Sequence, residues 1–240
     1  MQLMFPGKKL HLGKGVPNVI MEKLYMVQDQ LDSKIIGRSY PQVQQSLDPL
    51  LDKENMKREN EDKFQEIPVD GYSIRIQKST KLTDYISSFM DIRTPILSER
   101  LVRLLEGFRL PSHRLIPVKI NRAGEPVDAG YRIVHFTGHA IPHIDFPQST
   151  FDYLMGGATL DKTLLNFSSY EDYRAKVALD DRVEMAIIKR VVMKTSLPLD
   201  LFFLGIFKGS AFFIREGLKD MIEREKITGW RFEEVGFAGQ

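Results

Sequence analysis

The chain has 240 residues, of which 42% are hydrophobic and 28% are charged, a balance typical of a globular protein with a sizeable core. Its 34 basic and 32 acidic residues leave a net charge of +2, so no general electrostatic attraction to nucleic acid or to an anionic membrane is expected. The chain contains no cysteine, which excludes disulfide bonds, thiolate metal ligands and a thiol nucleophile.

The amino-terminal stretch, residues 1–20, contains several glycines and prolines and is expected to lie at the periphery, ahead of one domain over residues 21–240. This stretch lacks the apolar core of a secretory signal. No segment has the roughly 18 apolar residues that cross a bilayer. The sequence therefore predicts a cytoplasmic protein with no membrane partner.

The first predicted elements are strands separated by a polar segment. Leu24 and Met26 indicate a first strand, and a turn is expected near Ile35. Residues 52–63 hold almost nothing to bury and are expected to form a solvated helix or loop. Residues 72–76 alternate apolar and polar side chains, which predicts a half-buried strand.

Two helices are predicted next. The first has apolar residues at helical spacing over residues 82–89, after the N-cap candidates Ser79 and Thr80. The second is expected to begin at Thr94 and to end at Gly107, with one apolar stripe along it. The stripe consists of Leu97, Leu101, Leu104, Leu105 and Phe108.

The middle of the chain predicts further strands. Residues 114–120 and 130–136 are apolar segments on either side of the polar turn 121–126, so they are expected to pair antiparallel. A short element is expected over residues 151–155. Residues 183–193 are apolar and β-branched enough for a long strand.

The end of the chain predicts two short aromatic strands, over residues 200–208 and 211–214, then a charged amphipathic helix over residues 215–225 with Gly229 beyond it. Adjacent phenylalanines suit strands that are buried on both faces. The predicted core residues of this region are Phe203, Phe207 and Phe213. Strands and helices do not alternate regularly, so the predicted fold class is α+β, with an antiparallel or mixed sheet packed against several helices.

Three histidines raise the question of a metal site. His135, His139 and His143 are four residues apart, a spacing that would suit metal ligands on one face of a helix. However, His135 falls in a predicted strand, and Gly138 and Pro142 interrupt the interval. We therefore expect no metal. No nucleotide-binding or catalytic motif is complete either, so no cofactor and no catalytic residue is assigned.

Three segments of the chain, taken in order, are similar to segments of a family of known proteins. A Ser-x-Arg-Leu helix is followed by a Tyr-x-hydrophobic strand, and then by a phenylalanine-containing strand and a last helix ending near Thr-Gly. These segments are residues 95–106, 130–145 and 207–232. The pattern, which spans residues 80–235, resembles a bacterial family of immunity proteins from polymorphic toxin systems, related to a myxobacterial immunity domain.

The resemblance implies a non-enzymatic protein that binds and silences a cognate toxin or effector domain, with no nucleic-acid partner. Many immunity proteins are strongly acidic, so that they occupy the basic cleft of a nuclease. This chain has a sequence pI of about 8.6, so a shape-based plug or a clamp outside the toxin's active site is the favoured mechanism. Two alternatives stay open, namely an enzyme with an unrecognised acid/base site and a regulatory protein-binding module.

The family offers no common toxin-binding residues, so the docking site is predicted from residue types. Tyrosine and arginine are enriched among residues that dominate binding energy at protein interfaces. One segment combines two tyrosines and an arginine with carboxylates, in the least regular part of the chain. It consists of Tyr170, Glu171, Asp172, Tyr173 and Arg174. The alternative is that these side chains cover one face of a helix.

Overall fold

The structure is a computed structural model that describes residues 23–46, 71–88, 94–127, 130–137, 140–155, 158–159, 167–179, 185–190, 192–194, 197–204, 211–236 and 238–239. Within these stretches the chain forms sixteen β-strands and four α-helices. The predicted mixture of α and β is therefore present, but strands predominate and the helices are few. None of the helices in these stretches is long and apolar enough to cross a bilayer.

The bounds of the elements follow the chain in order. The first half contains β1 (Lys23–Asp29), α1 (Ser33–Ile36), β2 (Val43–Ser46), β3 (Tyr72–Ile76), β4 (Tyr85–Ile86), β5 (Ile96–Ser98), α2 (Glu99–Leu105), β6 (His113–Arg122) and β7 (Glu125–Val127). The second half contains β8 (Tyr131–Phe136), β9 (Thr150–Met155), β10 (Ala158–Thr159), α3 (Tyr170–Leu179), β11 (Met185–Arg190), β12 (Val192–Met193), β13 (Leu201–Leu204), β14 (Ala211–Arg215), α4 (Glu216–Arg224), β15 (Trp230–Gly236) and β16 (Ala238–Gly239). Two 3₁₀ turns span Ile141–His143 and Phe146–Gln148.

The largest sheet is mixed and nearly closed. Its strands lie in the order β2-β3-β6-β8-β5-β4, with β7 paired to β6 beside that path. Strands β3 and β6 are parallel, whereas the other neighbours in this sheet are antiparallel. The two outer strands meet where the Val43 N–H donates to the Ser87 carbonyl at 3.0 Å. The sheet therefore encloses one of its own faces.

Apolar side chains fill the enclosed face. Side chains alternate between the two faces of a strand, so the apolar positions of residues 72–76 all point inward, which confirms the predicted strand. The buried residues of this cluster are Val43, Tyr72, Ile74, Ile76, Ile86, Ile96, Ile116, Ile120, Tyr131 and Ile133. The predicted pairing of residues 114–120 with 130–136 is also confirmed, because β6 and β8 are antiparallel from His113 opposite Phe136 to Pro117 opposite Arg132.

The second sheet has the order β13-β14-β1-β15 and is antiparallel throughout. Helices α2 and α4 share an apolar cluster with it. In α4, Leu218 and Ile222 are four residues apart and therefore lie on the same buried face. The predicted sequence of two aromatic strands, an amphipathic helix and a following glycine is confirmed over the described residues. Phe203 and Phe213 are buried as predicted, whereas Phe207 lies outside the described residues.

A third apolar cluster lies under α3. Strand β9 pairs with β10 and β11, and β12 pairs in parallel with β16. The cluster includes Phe146, Phe167 and Tyr173. The long strand predicted over residues 183–193 is found as β11 and β12, and the short element predicted over 151–155 is β9.

The helix predictions between residues 82 and 107 are wrong in part. Tyr85–Ile86 forms strand β4, and Ile96–Ser98 forms strand β5, so α2 begins only at Glu99. Ser98 is its N-cap, because the hydroxyl accepts the Leu101 N–H at 3.2 Å. A short apolar run fits a strand buried on both faces as well as it fits a helix, and Ile96 and Leu97 are both fully buried on opposite faces of β5.

Two predictions cannot be compared with the fold. The expected solvated segment at residues 52–63 and the expected peripheral segment at residues 1–20 both lie outside the described residues. Phe89, at the end of the first predicted helix, lies outside them as well.

Candidate interaction surface

Residues of the Ser-x-Arg-Leu segment and of the Thr-Gly segment meet around the carboxylate of Asp84. The Ser98 hydroxyl donates to Asp84 Oδ1 at 2.8 Å, while the N–H and the hydroxyl of Thr228 donate to Asp84 Oδ2 at 2.9 and 3.0 Å. Arg100 adds its guanidinium, with Nη1 3.9 Å from Asp84 Oδ2. These charge-assisted hydrogen bonds join the start of α2 to the segment that precedes β15.

Gly229 completes the same junction. Its φ of +103° is a left-handed conformation, and a Cβ atom built on it would lie 2.2 Å from the Tyr85 carbonyl oxygen. Only glycine therefore allows the two backbones to approach so closely. The hydroxyls of Ser98 and Thr228 are thus engaged in contacts within the fold, whereas the Arg100 side chain is exposed.

Helix α3 holds the docking residues that the sequence predicts. Tyr173 is 7% exposed and packs in the third cluster, and Tyr170 is half-buried and stacks on Tyr173 at 6.3 Å between ring centroids. The carboxylate of Asp172 accepts the N–H of Ser168 at 2.8 Å. Glu171 is exposed. The fold thus uses the Tyr173 ring for packing and presents the Glu171 side chain to solvent.

The environment of Glu171 favours its charged form. Hydrogen bonding by its own backbone N–H, and then by the Ser169 hydroxyl, lowers the pKa of the Glu171 carboxyl below its ordinary value. The backbone of Arg174 lies in α3, and its side chain lies outside the described residues. A docking role for residues 170–174 stays a prediction.

The histidines are distributed over different local structures. His135 lies in β8 and is half-buried, whereas His143 is exposed in a 3₁₀ turn. His139 lies outside the described residues. Among the side chains that the structure describes, no three of histidine, cysteine, aspartate or glutamate are arranged to hold a metal ion.

A groove of about 520 Å³ lies between the loop after α2, the turn at Ile141–His143 and strand β13. Its lining residues are Leu110, Pro111, Ser112, Thr137, Ala140, His143, Leu197, Leu199, Phe202 and Phe203. The adjoining Arg109 donates from Nε and Nη2 to the Asp200 carboxylate at 3.0 and 2.7 Å. These hydrogen bonds lower the pKa of Asp200 and fix the loop against the start of β13.

The exposed large hydrophobic side chains of the described residues are Leu31, Tyr40 and Leu115. Leu31 and Tyr40, each 53% exposed, lie close to Asp29. Leu31 follows Asp29 by two residues, and the Tyr40 hydroxyl donates to Asp29 Oδ2 at 2.8 Å. Partial burial of the hydroxyl, followed by the hydrogen bond to Asp29, raises the pKa of Tyr40 to about 12. The hydrogen bond to Asp29 holds the Tyr40 ring in place.

The segment that carries these two side chains is fixed to the turn after β3. The Arg38 N–H donates to the Ser79 carbonyl at 3.3 Å, and the Lys81 N–H donates to the Ile36 carbonyl at 2.9 Å. Gly37 has a φ of +89°, and a Cβ atom there would lie 2.2 Å from the Ser79 carbonyl oxygen. This close contact orders the backbone on which Leu31 and Tyr40 are presented.

We name this region the anchor surface, and it consists of Leu31, Lys34, Arg38, Tyr40, Lys78 and Lys81. No pattern in the sequence predicted this surface. The sequence does contain one signal for the local structure, an aspartate that can act as the N-cap of a helix. The Asp32 side chain caps α1 by accepting the Lys34 N–H at 2.8 Å. Nothing in the local sequence indicates that Leu31 and Tyr40 are exposed.

Comparison of the sequence with protein-family models finds no match, and comparison with curated proteins finds none either.

Proposed function

We propose that this protein is a non-enzymatic immunity protein that binds and neutralises a cognate antibacterial toxin in the cytoplasm. Two independent considerations support the proposal. The first is the resemblance carried by residues 80–235, within which Ser98 and Thr228, from two of the similar segments, both donate to Asp84. The second is a surface suited to binding another protein, the anchor surface.

The exposed pair Leu31 and Tyr40 is the observation that carries the proposal. Tyrosine is among the side chains that contribute most to protein–protein affinity, because it buries a large ring and retains a polar group. Binding also costs less free energy when the contacting side chains are already ordered. Tyr40 meets that condition through its hydrogen bond to Asp29, and the backbone is held by Gly37 against Ser79.

In this proposal the toxin buries Leu31 and Tyr40 in an apolar recess of its own surface. The contact blocks the toxin by its shape or from a site outside the toxin's catalytic centre, and needs no chemistry from the immunity protein. Residues 170–174 are a proposed second contact, in which Glu171 rather than the buried Tyr173 meets the toxin.

Protection in living cells tests the proposal. The neighbouring genes are first searched for one that encodes a toxin-like domain. That candidate domain is then expressed from an inducible promoter in a bacterial host, with and without this protein, and surviving colonies are counted. Wild-type protein is expected to restore growth. The variants Leu31→Asp and Tyr40→Ala are expected to protect poorly, because each removes an apolar contact from the interface.

Leu115→Asp is the matched control, since Leu115 is also an exposed large hydrophobic residue, 42% exposed, but lies on β6 outside the anchor surface. This variant is expected to protect like the wild type. Melting temperatures of all variants show whether any loss reflects unfolding. The proposal fails if the wild-type protein gives no protection against the neighbouring toxin domain.

A further inference from the structure

The anchor surface carries a local excess of positive charge that the chain as a whole does not have. Four cationic side chains lie on segments 31–40 and 78–81, which meet at Gly37 and Ser79. Two carboxylates lie nearby, those of Asp32 and of Asp29, which accepts the Tyr40 hydroxyl. All four cationic side chains are exposed. They are Lys34, Arg38, Lys78 and Lys81. By contrast, the full chain has a net charge of only +2 in 240 residues.

No ion pair within the described residues neutralises these four side chains. Lys81 Nζ donates to the Lys34 carbonyl at 2.9 Å, which is a neutral acceptor. The Asp32 carboxylate accepts a backbone N–H, and the Asp29 carboxylate accepts the hydroxyls of two tyrosines. Both nearby carboxylates are thus held by other donors.

Several cations on other surfaces of the described chain have acidic partners. Lys219 lies 2.7 Å from Glu223, and Arg109 lies 2.7 Å from Asp200. Glu99 lies within 4 Å of two arginines, on α2 and on β8. Among the described residues, the anchor surface therefore carries more cationic than acidic side chains, and the resulting field can act on a partner.

We infer that the anchor surface binds an acidic protein surface, with carboxylates opposite the four cations and an apolar recess for Leu31 and Tyr40. Charge complementarity of this kind speeds association and fixes the orientation of the partner. This inference rests on the proposed function, and it specifies the toxin face that this protein covers.

A protein fits this surface better than a nucleic acid does. Nucleic-acid sites use aromatic rings for stacking within a continuous cationic groove. Here an aliphatic side chain, Leu31, stands beside the ring, and the Asp29 and Asp32 carboxylates lie next to the two anchors, where they would repel a phosphate backbone. A folded protein, unlike a phosphate backbone, can carry carboxylates opposite the cations and none opposite Asp29 and Asp32.

Binding of two probes of matched charge tests the inference. The probes are a glutamate-rich peptide containing leucine and an RNA oligonucleotide, each labelled for fluorescence anisotropy. The peptide is expected to bind more tightly than the RNA, with an affinity that falls as salt is raised. In the double variant Arg38→Glu/Lys78→Glu, the peptide affinity is expected to fall about tenfold or more.

The matched control is Lys119→Glu/Lys226→Glu, which changes the net charge equally at exposed lysines outside the anchor surface. It is expected to bind the peptide like the wild type. The inference is overturned if the peptide does not bind, if both double variants weaken it equally, or if the RNA binds more tightly.

Two further outcomes distinguish a failure of this inference from a failure of the proposed function. If Arg38→Glu/Lys78→Glu protects cells from the toxin as well as the wild type does, the acidic-partner inference is wrong while the immunity function stands. If the peptide binds as expected but the wild type gives no protection, the immunity function is wrong and the acidic-surface preference stands.

Discussion

Gln42 holds together the two outer strands of the largest sheet. Its side chain is fully buried. Nε2 donates to the Lys81 carbonyl at 2.6 Å and to Thr83 Oγ1 at 3.0 Å, while Oε1 accepts the Ser87 N–H at 3.0 Å. Removing this amide would leave several buried polar groups without partners, and each such group costs about 1–3 kcal/mol.

We therefore expect Gln42→Ala to lower the free energy of unfolding by about 2–4 kcal/mol, measured by urea denaturation. The exposed Gln148 provides the control, and Gln148→Ala is expected to change the free energy by about 0.5 kcal/mol or less. Equal effects of the two substitutions would show that the buried amide does not hold the sheet closed.

Asp200 gives the protein a defined response to acid. Hydrogen bonds from Arg109 lower the pKa of the Asp200 carboxyl in the folded state. A carboxyl whose pKa is lower in the folded state adds stability above its unfolded pKa of about 4, and this stability is lost as the pH falls through the folded-state pKa.

Asp200→Asn removes that contribution at neutral pH, so the variant is expected to unfold at a lower urea concentration than the wild type. The difference is expected to shrink as the pH falls below about 4, where the carboxyl of the unfolded chain becomes protonated, and to disappear below the lower folded-state pKa. Urea midpoints of both proteins across this pH range are the measurement. A difference that stays constant with pH would contradict the assigned role of Asp200.

At the scale of elements, two glycines near α4 differ in whether the structure tolerates a larger residue in their place. Gly229 adopts a positive φ against Tyr85, whereas Gly217 lies in the first turn of α4 and a Cβ atom there would have open space. Gly229→Ala is expected to cost about 2 kcal/mol or more. Gly217→Ala is expected to stabilise by about 0.5–1 kcal/mol. Thermal melts that rank the two variants in the reverse order would contradict this description of the junction.

The aromatic strands β13 and β14 form much of the core. Phe203 is 3% exposed and Phe213 is 7% exposed, and they lie in different apolar clusters on either side of the sheet. Each Phe→Ala substitution is expected to cost about 3–5 kcal/mol in chemical denaturation. Leu115→Ala, at an exposed site, serves as the control. Loss of partner binding without loss of stability would instead make these phenylalanines interface residues.

The accuracy of the predicted elements follows from how each segment is buried. Residues 72–76 have one buried face, so their alternation identifies a strand. Ile96 and Leu97 are buried on both faces of β5, which removes the alternation and leaves a pattern that also fits the start of a helix. The amphipathic α4 was predictable because Leu218 and Ile222 recur at helical spacing within a charged segment.

For the whole molecule, the anchor surface could not be predicted, because it depends on tertiary contacts. Leu31 and Lys78 are 47 residues apart in the sequence and share a surface only where the backbone around Gly37 meets Ser79. Tyr173 illustrates the opposite error. Its residue type suits an interface, but its ring faces the core, and composition alone does not distinguish these two environments.

Affinity for a candidate toxin tests the proposed immunity function most directly. A purified candidate toxin domain, found by searching the genes that neighbour this one, is titrated calorimetrically into this protein and into three variants. Wild-type protein and Leu115→Ala are expected to bind with equal affinity. Tyr40→Ala is expected to bind at least about tenfold more weakly, equivalent to about 1.4 kcal/mol, with Tyr40→Phe showing what the hydroxyl alone contributes. Absence of binding by the wild type would contradict the immunity function, and equal affinity of Tyr40→Ala would contradict the anchor surface as its site.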